Sequence, residues 1–315
     1  MSANLLKNMI RKLVIVVIVV IVFLLLFTIM INIPGDIEPQ LTKGESLPAI
    51  AESSSLVKIQ FIDTAHFQTP EAFTMAGGSL FKNMEMIHGA ILVTHREDTF
   101  LFDTGLGDKI DEQYEQDMPA MITPFMSYEK GESVIVQLNK NSDLPKPNRI
   151  ILSHSHWDHA SGIVDFPELD VWVPSSEYQF LKNAEPPAVF PSQVSSNSIK
   201  WREYSLSADD YAGFENSLDV YDDGSVVLVS LSGHSPGSIG MFVNTSDGQR
   251  YLFVGDAVWN LDAIKNLKSK FWISSMLADL NQEETSLIIA KLHALLKANP
   301  ELKIVPAHDL RAWKI

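Results

Sequence analysis

The sequence predicts an α+β fold in which packed sheets are covered by helices, preceded by one membrane-spanning helix. The first observation is an uninterrupted apolar run close to the N-terminus. The second is a series of short, β-branched apolar segments that begins at about Leu56, each ended by a polar or glycine-containing turn. The third is an amphipathic helical pattern near the C-terminus. Because strands and helices are interspersed without strict alternation, we expect a layered sandwich.

Residues 13–33 form the apolar run and predict a transmembrane anchor. At about 1.5 Å per residue, a helix of this length covers about 30 Å, the thickness of a bilayer core. Three basic residues precede the run and two acidic residues follow it: Lys7, Arg11, Lys12, Asp36 and Glu38. The positive-inside bias predicts a cytoplasmic tail at residues 1–12 and places the rest of the chain across the membrane, in the periplasm if the cell is bacterial.

The alternative for the same run is a cleaved signal peptide. The apolar core of a signal peptide normally spans about 7–15 residues and is followed closely by a site of small residues. Here the run is longer and leads into Pro34-Gly35-Asp36. These features favour an uncleaved anchor.

Residues 34–55 are polar, contain proline, glycine and a serine cluster, and predict a linker. A folded domain is predicted over residues 56–315, with its clearest helix at Gln282–Ala298 and shorter helices at Ser133–Leu138 and Ser176–Leu181. The predicted strands are Val57–Ile62, Ala90–His95, Thr99–Phe102, Arg149–Leu152, Val171–Val173, Val226–Val229, Gly240–Val243, Tyr251–Val254 and Ile304–Val305.

Composition narrows the range of functions. The chain has no cysteine, which excludes disulfides, thiolate metal sites and cysteine nucleophiles. Residues 36–315 carry 21 basic and 39 acidic side chains. A domain this acidic is repelled by phosphate backbones and by anionic lipid, so nucleic acid is a poor partner and a small-molecule substrate is expected.

The segment Ser153-His154-Ser155-His156-Trp157-Asp158-His159 carries the chemistry. It holds four potential metal ligands within six residues, directly after the apolar run 150–152. Buried histidines and aspartates are costly unless they are paired, and a divalent cation would pair them. The alternative is a solvated polar loop without a ligand.

Three later positions repeat one architecture, a short apolar strand followed by a tight turn and a metal-ligating residue. The turns lead to His234, Asp256 and His308. Strand ends of this kind predict convergence at one edge of the sheets, where a rigid frame can hold ligands at about 2.0–2.2 Å from zinc.

The pattern His154-x-His156-x-Asp158-His159, followed by His234, Asp256 and His308, resembles the metallo-β-lactamase superfamily in its dinuclear hydrolase form. The resemblance runs from about Leu56 to the C-terminus, and Asp103 in Phe-Asp-Thr-Gly matches the family's early strand-end aspartate. It implies a four-layer αββα sandwich and a metal-dependent hydrolase.

The resemblance also implies the ligand sets. One metal ion is expected on His154, His156 and His234. The second is expected on Asp158, His159 and His308, with Asp256 bridging the two and Asp103 supporting the ligand loop. The nitrogen and carboxylate donors favour two divalent ions, with Zn²⁺ expected over redox iron. Asp158 is also expected to transfer the proton between the attacking water and the leaving group.

Within the superfamily, the motifs are most similar to the N-acyl homoserine lactonase-like group, which implies hydrolysis of a small ester or lactone. Trp259 stands where those lactonases often have a tyrosine, and an indole offers one N–H donor and no exchangeable acid. A phosphodiesterase and a catalytically inactive, membrane-tethered binding module are the alternatives. Arg311 is the basic candidate for a phosphate contact.

Further residues are candidates for the substrate pocket. Trp157, Trp259 and His88 are assigned to it tentatively, with core packing as the alternative for each tryptophan. The glycine-containing apolar stretch from Phe67 to Met86 predicts a hydrophobic hairpin, with a substrate loop as the other interpretation.

Overall fold

The computed structural model describes residues 3–31, 33–39, 45–50 and 56–314. Its helices are α1 (Ala3–Ile31), α2 (Glu71–Thr74), α3 (Ile110–Asp117), α4 (Val134–Lys140), α5 (Trp157–Ala160), α6 (Ser175–Leu181), α7 (Pro191–Val194), α8 (Leu261–Asn266), α9 (Trp272–Ala278), α10 (Gln282–Ala298) and α11 (Leu310–Trp313). Its strands are β1 (Val57–Pro70), β2 (Asn83–His95), β3 (Asp98–Phe102), β4 (Glu129–Lys130), β5 (Arg149–Ile151), β6 (Asp170–Pro174), β7 (Lys200–Tyr204), β8 (Ser217–Asp219), β9 (Val226–Ser230), β10 (Ile239–Asn244), β11 (Arg250–Phe253) and β12 (Leu302–Val305). Short 3₁₀ turns lie at Thr123–Phe125 and Ser161–Asp165.

The strands form two sheets. The seven-stranded sheet has the order β4-β1-β2-β3-β5-β6-β7, and the five-stranded sheet has the order β12-β11-β10-β9-β8. Strands β3, β5, β6 and β7 are parallel neighbours, whereas β1 and β2 form an antiparallel pair. This mixture of pairings matches the irregular alternation of strands and helices along the sequence.

The buried side chains form three layers of core. The middle layer joins the two sheets through residues such as Phe100, Ile151, Leu228 and Phe253. The outer face of the five-stranded sheet packs against α8 and α10, and the outer face of the seven-stranded sheet packs against α4 and α6. Four layers of α, β, β and α follow, as the resemblance implied.

The ends of several strands meet at one edge of this sandwich. Strand β10 is antiparallel to both β9 and β11, and β11 is parallel to β12. Strands β9, β11 and β12 therefore all end at the same edge. A backbone hydrogen bond of 2.9 Å from Ile239 N–H to the Ser153 carbonyl joins this edge to the loop that follows β5. Residues from both sheets are thus brought to one place.

The β1–β2 hairpin is longer than the sequence pattern predicts. Strand β1 extends to Pro70, and the register shifts between Asp63 and Ala65, which then pairs with His88. A bulge of this kind interrupts the two-residue alternation and redirects side chains, so the second half of each strand lacks the expected pattern. The apolar stretch from Phe67 to Met86 is accordingly a hairpin, with α2 near its turn.

Helix α1 is long and apolar enough over Lys7–Met30 to cross a membrane, a property that signal sequences near an N-terminus share. The chain that follows α1 contacts the folded domain. Ile37 N–H donates to the Leu267 carbonyl at 2.9 Å, and Ser269 N–H donates to the Gly35 carbonyl at 2.8 Å. Part of the predicted linker therefore lies against the loop that follows α8.

Candidate metal centre

The loop after β5 and the turn after β9 bring three predicted metal ligands together. His154, His156 and His234 are buried, and one ring nitrogen of each lies within 4.8 Å of the others. His156 immediately precedes α5, which begins at Trp157. Two histidines from one loop and a third from the opposite sheet thus form a compact nitrogen cluster that could hold one divalent ion.

Carboxylates and two further histidines lie beside this cluster. Asp158 Oδ2 is 3.2 Å from His308 Nε2 and 3.7 Å from His159 Nε2. Asp256 Oδ1 is 3.2 Å from His159 Nε2 and 3.1 Å from His308 Nε2. The other oxygen of Asp256, Oδ2, is 3.6 Å from His234 Nε2. One carboxylate therefore faces both groups of histidines, the position that a bridging ligand requires.

His88 also lies at the centre, where the sequence placed it only tentatively. Its Nδ1 is 3.1 Å from Asp158 Oδ2, and His88, Asp158 and His308 form a further group whose ligand atoms lie within 4.8 Å of one another. The ring stacks on Phe67 with 4.9 Å between centroids. The bulge in β1 opposite His88 is the local feature that accompanies this placement, and no strand-end pattern marks it in the sequence.

The cluster fits a divalent metal ion because buried nitrogen and oxygen atoms that could ligate a metal have no hydrogen-bond partners. These atoms include the Nε2 atoms of His154, His159 and His234 and the Oδ1 atom of Asp256, whose close histidine neighbours are not aligned for a hydrogen bond. A buried polar atom without a partner costs about 1–3 kcal/mol, and several at one point are rare in folded proteins. Ligation would satisfy all of them at once. Imidazole and carboxylate are ligands that zinc accepts.

The Nδ1 atoms of His159 and His308 have hydrogen-bond partners outside the centre, which orient these two rings. His159 Nδ1 lies 2.9 Å from Asp103 Oδ2, and His308 Nδ1 lies 2.7 Å from the Ile87 carbonyl. Asp103, at φ 61°, also accepts hydrogen bonds from the Ser153 N–H and hydroxyl. Because each Nδ1 is occupied, each Nε2 points into the centre.

His234 is oriented by a buried carboxylate and ammonium that the sequence analysis did not identify. Asp279 Oδ1 lies 2.9 Å from His234 Nδ1 and 2.6 Å from Lys270 Nζ. Lys270 is 1% exposed and also donates to the Ala257 carbonyl. The Ser275 hydroxyl donates to the other oxygen of Asp279 at 2.7 Å. The loop before α9 and the end of α9 thereby support the turn that carries His234.

Glu177 joins the two histidine-bearing loops and was also missed. This residue of α6 is fully buried. Its Oε1 accepts from the Ser155 N–H and hydroxyl at 2.7 and 2.6 Å. Its Oε2 accepts from the Ser235 hydroxyl and the Gly237 N–H at 2.6 and 3.0 Å. One carboxylate therefore fixes the loop of His154 and His156 relative to the loop of His234.

The two tryptophans assigned tentatively to the pocket have defined contacts. Trp157 is buried and stacks on Phe190 with 5.5 Å between ring centroids, and it lies 5.8 Å from the ring of His88. The Trp259 indole N–H donates to Asp256 Oδ2 at 2.8 Å. The one donor of Trp259 is therefore directed at a carboxylate of the centre.

Burial lowers the pKa of two histidines of the centre, and nearby carboxylates raise the pKa of two others. Burial lowers the pKa of His156 to about 3 and that of His154 well below its usual range. Burial also acts to lower the pKa of His308, but Asp256 and Asp158 outweigh it and raise this pKa to about 10. The pKa of His159 is likewise raised well above its usual range, because Asp103, Asp158 and Asp256 outweigh burial.

We predict that divalent metal binding releases protons from His159 and His308. At pH 7 both rings are protonated before an ion binds, and a ring must lose a proton to become a ligand. The apparent affinity should therefore rise with pH up to the His308 pKa of about 10. Titration calorimetry of the metal-depleted protein with Zn²⁺, in buffers of different ionisation enthalpy, measures the release. A binding heat that is identical in all buffers would contradict the prediction.

The four-layer fold and the convergent histidines and aspartates define a class of metal-binding α/β sandwich. A sequence profile of the metallo-beta-lactamase superfamily matches residues 86–308. The chain belongs to the metallo-beta-lactamase superfamily. The resemblance noted in the sequence is thereby confirmed.

N-acyl homoserine lactonases are among the proteins similar to this chain. The lactonase AttM of Rhizobium radiobacter is 25% identical over 170 residues, which span 52% of this chain and 59% of the lactonase. An N-acyl homoserine lactone hydrolase with N-hexanoyl-L-homoserine at its catalytic metal centre superposes with a TM-score of 0.63 at 19% identity, covering 82% of this chain and 95% of that one. The dizinc quorum-quenching lactonase AidC superposes with a TM-score of 0.56 at 17% identity, over 84% and 90% of the two chains. These structures share the fold.

Proposed function

We propose that this protein is a membrane-anchored hydrolase that uses a dinuclear metal centre to cleave a small ester or lactone. The convergence of unpartnered, buried Nε2 and carboxylate oxygen atoms carries the proposal. His154, His156 and His234 would hold one ion. Asp158, His159 and His308 would hold the other, with Asp256 between them. Similarity to lactonases, one of them dizinc, supports the bond type and Zn²⁺.

Bound divalent ions would supply Lewis acidity, which lowers the pKa of an attacking water and polarises the substrate carbonyl. The chain's own contribution is position and proton transfer. Asp158 Oδ2 lies 3.1 Å from His88 and 3.2 Å from His308, and its pKa is well below its usual range because neighbouring histidines outweigh burial. We assign to Asp158 Oδ2 the transfer of a proton from the attacking water to the leaving alkoxide.

The cations near the centre argue against a phosphoester substrate. The Arg311 guanidinium donates to Asp309, Asp262 and Asn260. The buried Lys270 ammonium donates to Asp279. Both positive charges are therefore matched by carboxylates of the chain and offer little to a phosphate. An uncharged ester or lactone needs no free cation of the protein for its binding.

The membrane anchor forms a second part of the proposal. We assign the bilayer-spanning role to residues 13–33, with the catalytic domain at residues 56–315 outside the cytoplasm. The length and apolarity of α1, and the basic residues that precede its apolar part, support this assignment.

A substrate panel on the zinc-loaded full-length protein in detergent tests the catalytic proposal. We expect turnover of N-acyl lactones or aryl esters, and rates at least about tenfold lower for phosphodiesters, which corresponds to about 1.4 kcal/mol in the barrier. Metal content is measured on the same samples. Faster phosphodiester cleavage would favour the alternative hydrolase, and a fully loaded protein that turns over no substrate of the panel would contradict the proposed activity.

A further inference from the structure

Helix α9 presents exposed apolar side chains along one face. Met276, Leu277 and Leu280 are 58%, 62% and 59% exposed. Met276 and Leu277 follow Trp272 and Ile273 by four residues, so these four side chains lie on the same side of α9, and Leu280 follows two residues after the helix ends. Exposure of such a row of apolar side chains to water is unfavourable.

The β1–β2 hairpin extends this apolar face. Phe81, next to its turn, is 99% exposed. Its neighbour Leu80 packs with Phe73, Trp272 and Ile273 around the buried pair Ala72 and Phe271. The Ser274 hydroxyl also donates to the Phe73 carbonyl at 3.0 Å. We call the surface formed by Leu80, Phe81, Trp272, Ile273, Met276, Leu277 and Leu280 the apolar face.

The apolar face begins at the end of the apolar helix α1. The Trp272 indole N–H donates to the Met30 carbonyl at 2.9 Å, in the last turn of α1. Carbonyls in the last turn lack helical partners, so this bond satisfies one of them. The backbone bonds of Gly35 and Ile37 hold the following residues on the same side of the domain. A bilayer around α1 would therefore lie next to the apolar face.

Charge on the apolar face differs from that of the rest of the domain. Residues 79–82 and 271–280 include one acidic residue, Asp279, in a chain with 39. The Asp279 side chain is 1% exposed and bonded to Lys270. No exposed carboxylate in these two segments would therefore face lipid, although the domain as a whole is strongly acidic. Exposed apolar side chains with an indole at the boundary are typical of a membrane interface.

We propose that the apolar face rests in the interfacial layer of the bilayer that α1 spans. The inference depends on the membrane anchor proposed above and not on the bond that the enzyme cleaves. Helix α9 continues into Asp279, which holds His234, and Leu280 N–H donates to the His234 carbonyl at 3.2 Å. The metal centre is thus built beside a lipid-facing surface, which suits an amphiphilic ester or lactone whose acyl chain is dissolved in the membrane.

Spin labels on single cysteines test this orientation, and the absence of native cysteine makes each label unique. The full-length variants Phe81→Cys, Met276→Cys and Leu277→Cys are labelled with a nitroxide and reconstituted in phosphatidylcholine vesicles. Power-saturation electron paramagnetic resonance then compares collisions with oxygen, which concentrates in lipid, and with a water-soluble nickel chelate. We expect oxygen to relax these labels more strongly than the chelate does.

Two further labels separate the possible failures. Glu97→Cys lies in the β2–β3 turn, at the edge opposite the metal centre, and should favour the chelate. Val19→Cys lies inside α1. The label at Val19→Cys should be relaxed more by oxygen than by the chelate. If it is, while the three labels on the apolar face are relaxed more by the chelate, as at Glu97→Cys, the apolar face does not contact lipid and the inference is overturned. If Val19→Cys favours the chelate, the anchor fails and the inference with it, while the hydrolase proposal stands.

Discussion

Replacing Asp256 with alanine is expected to abolish loading of both metal ions and to lower the hydrolytic rate by roughly a thousandfold, if the ions contribute several kcal/mol to the transition state. Asp256 is buried, and each of its oxygens lies beside two histidines, Oδ1 beside His159 and His308 and Oδ2 beside His234 and His308. Among the described residues, no other carboxylate contacts all three histidines. Its removal should therefore affect both metal positions.

Metal content by plasma emission spectrometry and turnover of the best panel substrate measure the effect. Asp256→Asn keeps the size of the side chain and removes its charge, so it should show the same loss in a protein that keeps its fold by circular dichroism. Asp143→Ala, which removes an exposed carboxylate in the loop after α4, is the matched control and should change neither quantity. A fully loaded and active Asp256→Ala protein would end the dinuclear scheme.

Local patterns in the sequence predicted the elements with strong periodicity. The structure has α10 over the predicted residues, and α4 and α6 begin and end within two residues of their predicted bounds. The nine predicted strands all occur, because each contains enough β-branched and aromatic residues to form a buried strand. Strands β4, β7 and β8 were missed, since they are short or partly exposed and lack an apolar run.

Apart from His88, which lies within β2, the histidines and aspartates of the centre were predictable for a local reason. Each follows an apolar strand, and strand ends in parallel positions meet at one edge. Glu177 and Asp279 have no such signal, because their roles depend on contacts across 58 and 45 residues of sequence, with Ser235 and His234. Glu177 occupies an ordinary polar position in a short helix, and only the packing of α6 against both loops gives it a function.

Glu177→Ala is expected to lower the free energy of unfolding by about 4 kcal/mol or more. Four buried donors would lose their acceptor, at a cost of about 1–3 kcal/mol each. Water that enters the space left by the side chain would offset part of this cost by accepting some of the hydrogen bonds. The donors are the N–H and hydroxyl of Ser155, the hydroxyl of Ser235 and the N–H of Gly237. The total free energy of unfolding of a typical domain is about 5–15 kcal/mol. The loss should appear as a lower denaturant midpoint for the metal-depleted protein.

Glu177→Gln separates the effect on the fold from the effect on the metal centre. The amide keeps one oxygen for the donors of Ser155, but its NH₂ group cannot accept from Gly237 N–H. This variant should fold and bind Zn²⁺ about 10–100-fold more weakly, the usual result when a group that orients metal ligands is lost. Glu168→Ala, at an exposed ion pair with Lys200, should cost less than about 1 kcal/mol and leave zinc affinity unchanged. Wild-type stability and zinc affinity in both Glu177 variants would show that the two histidine loops hold their positions without this carboxylate.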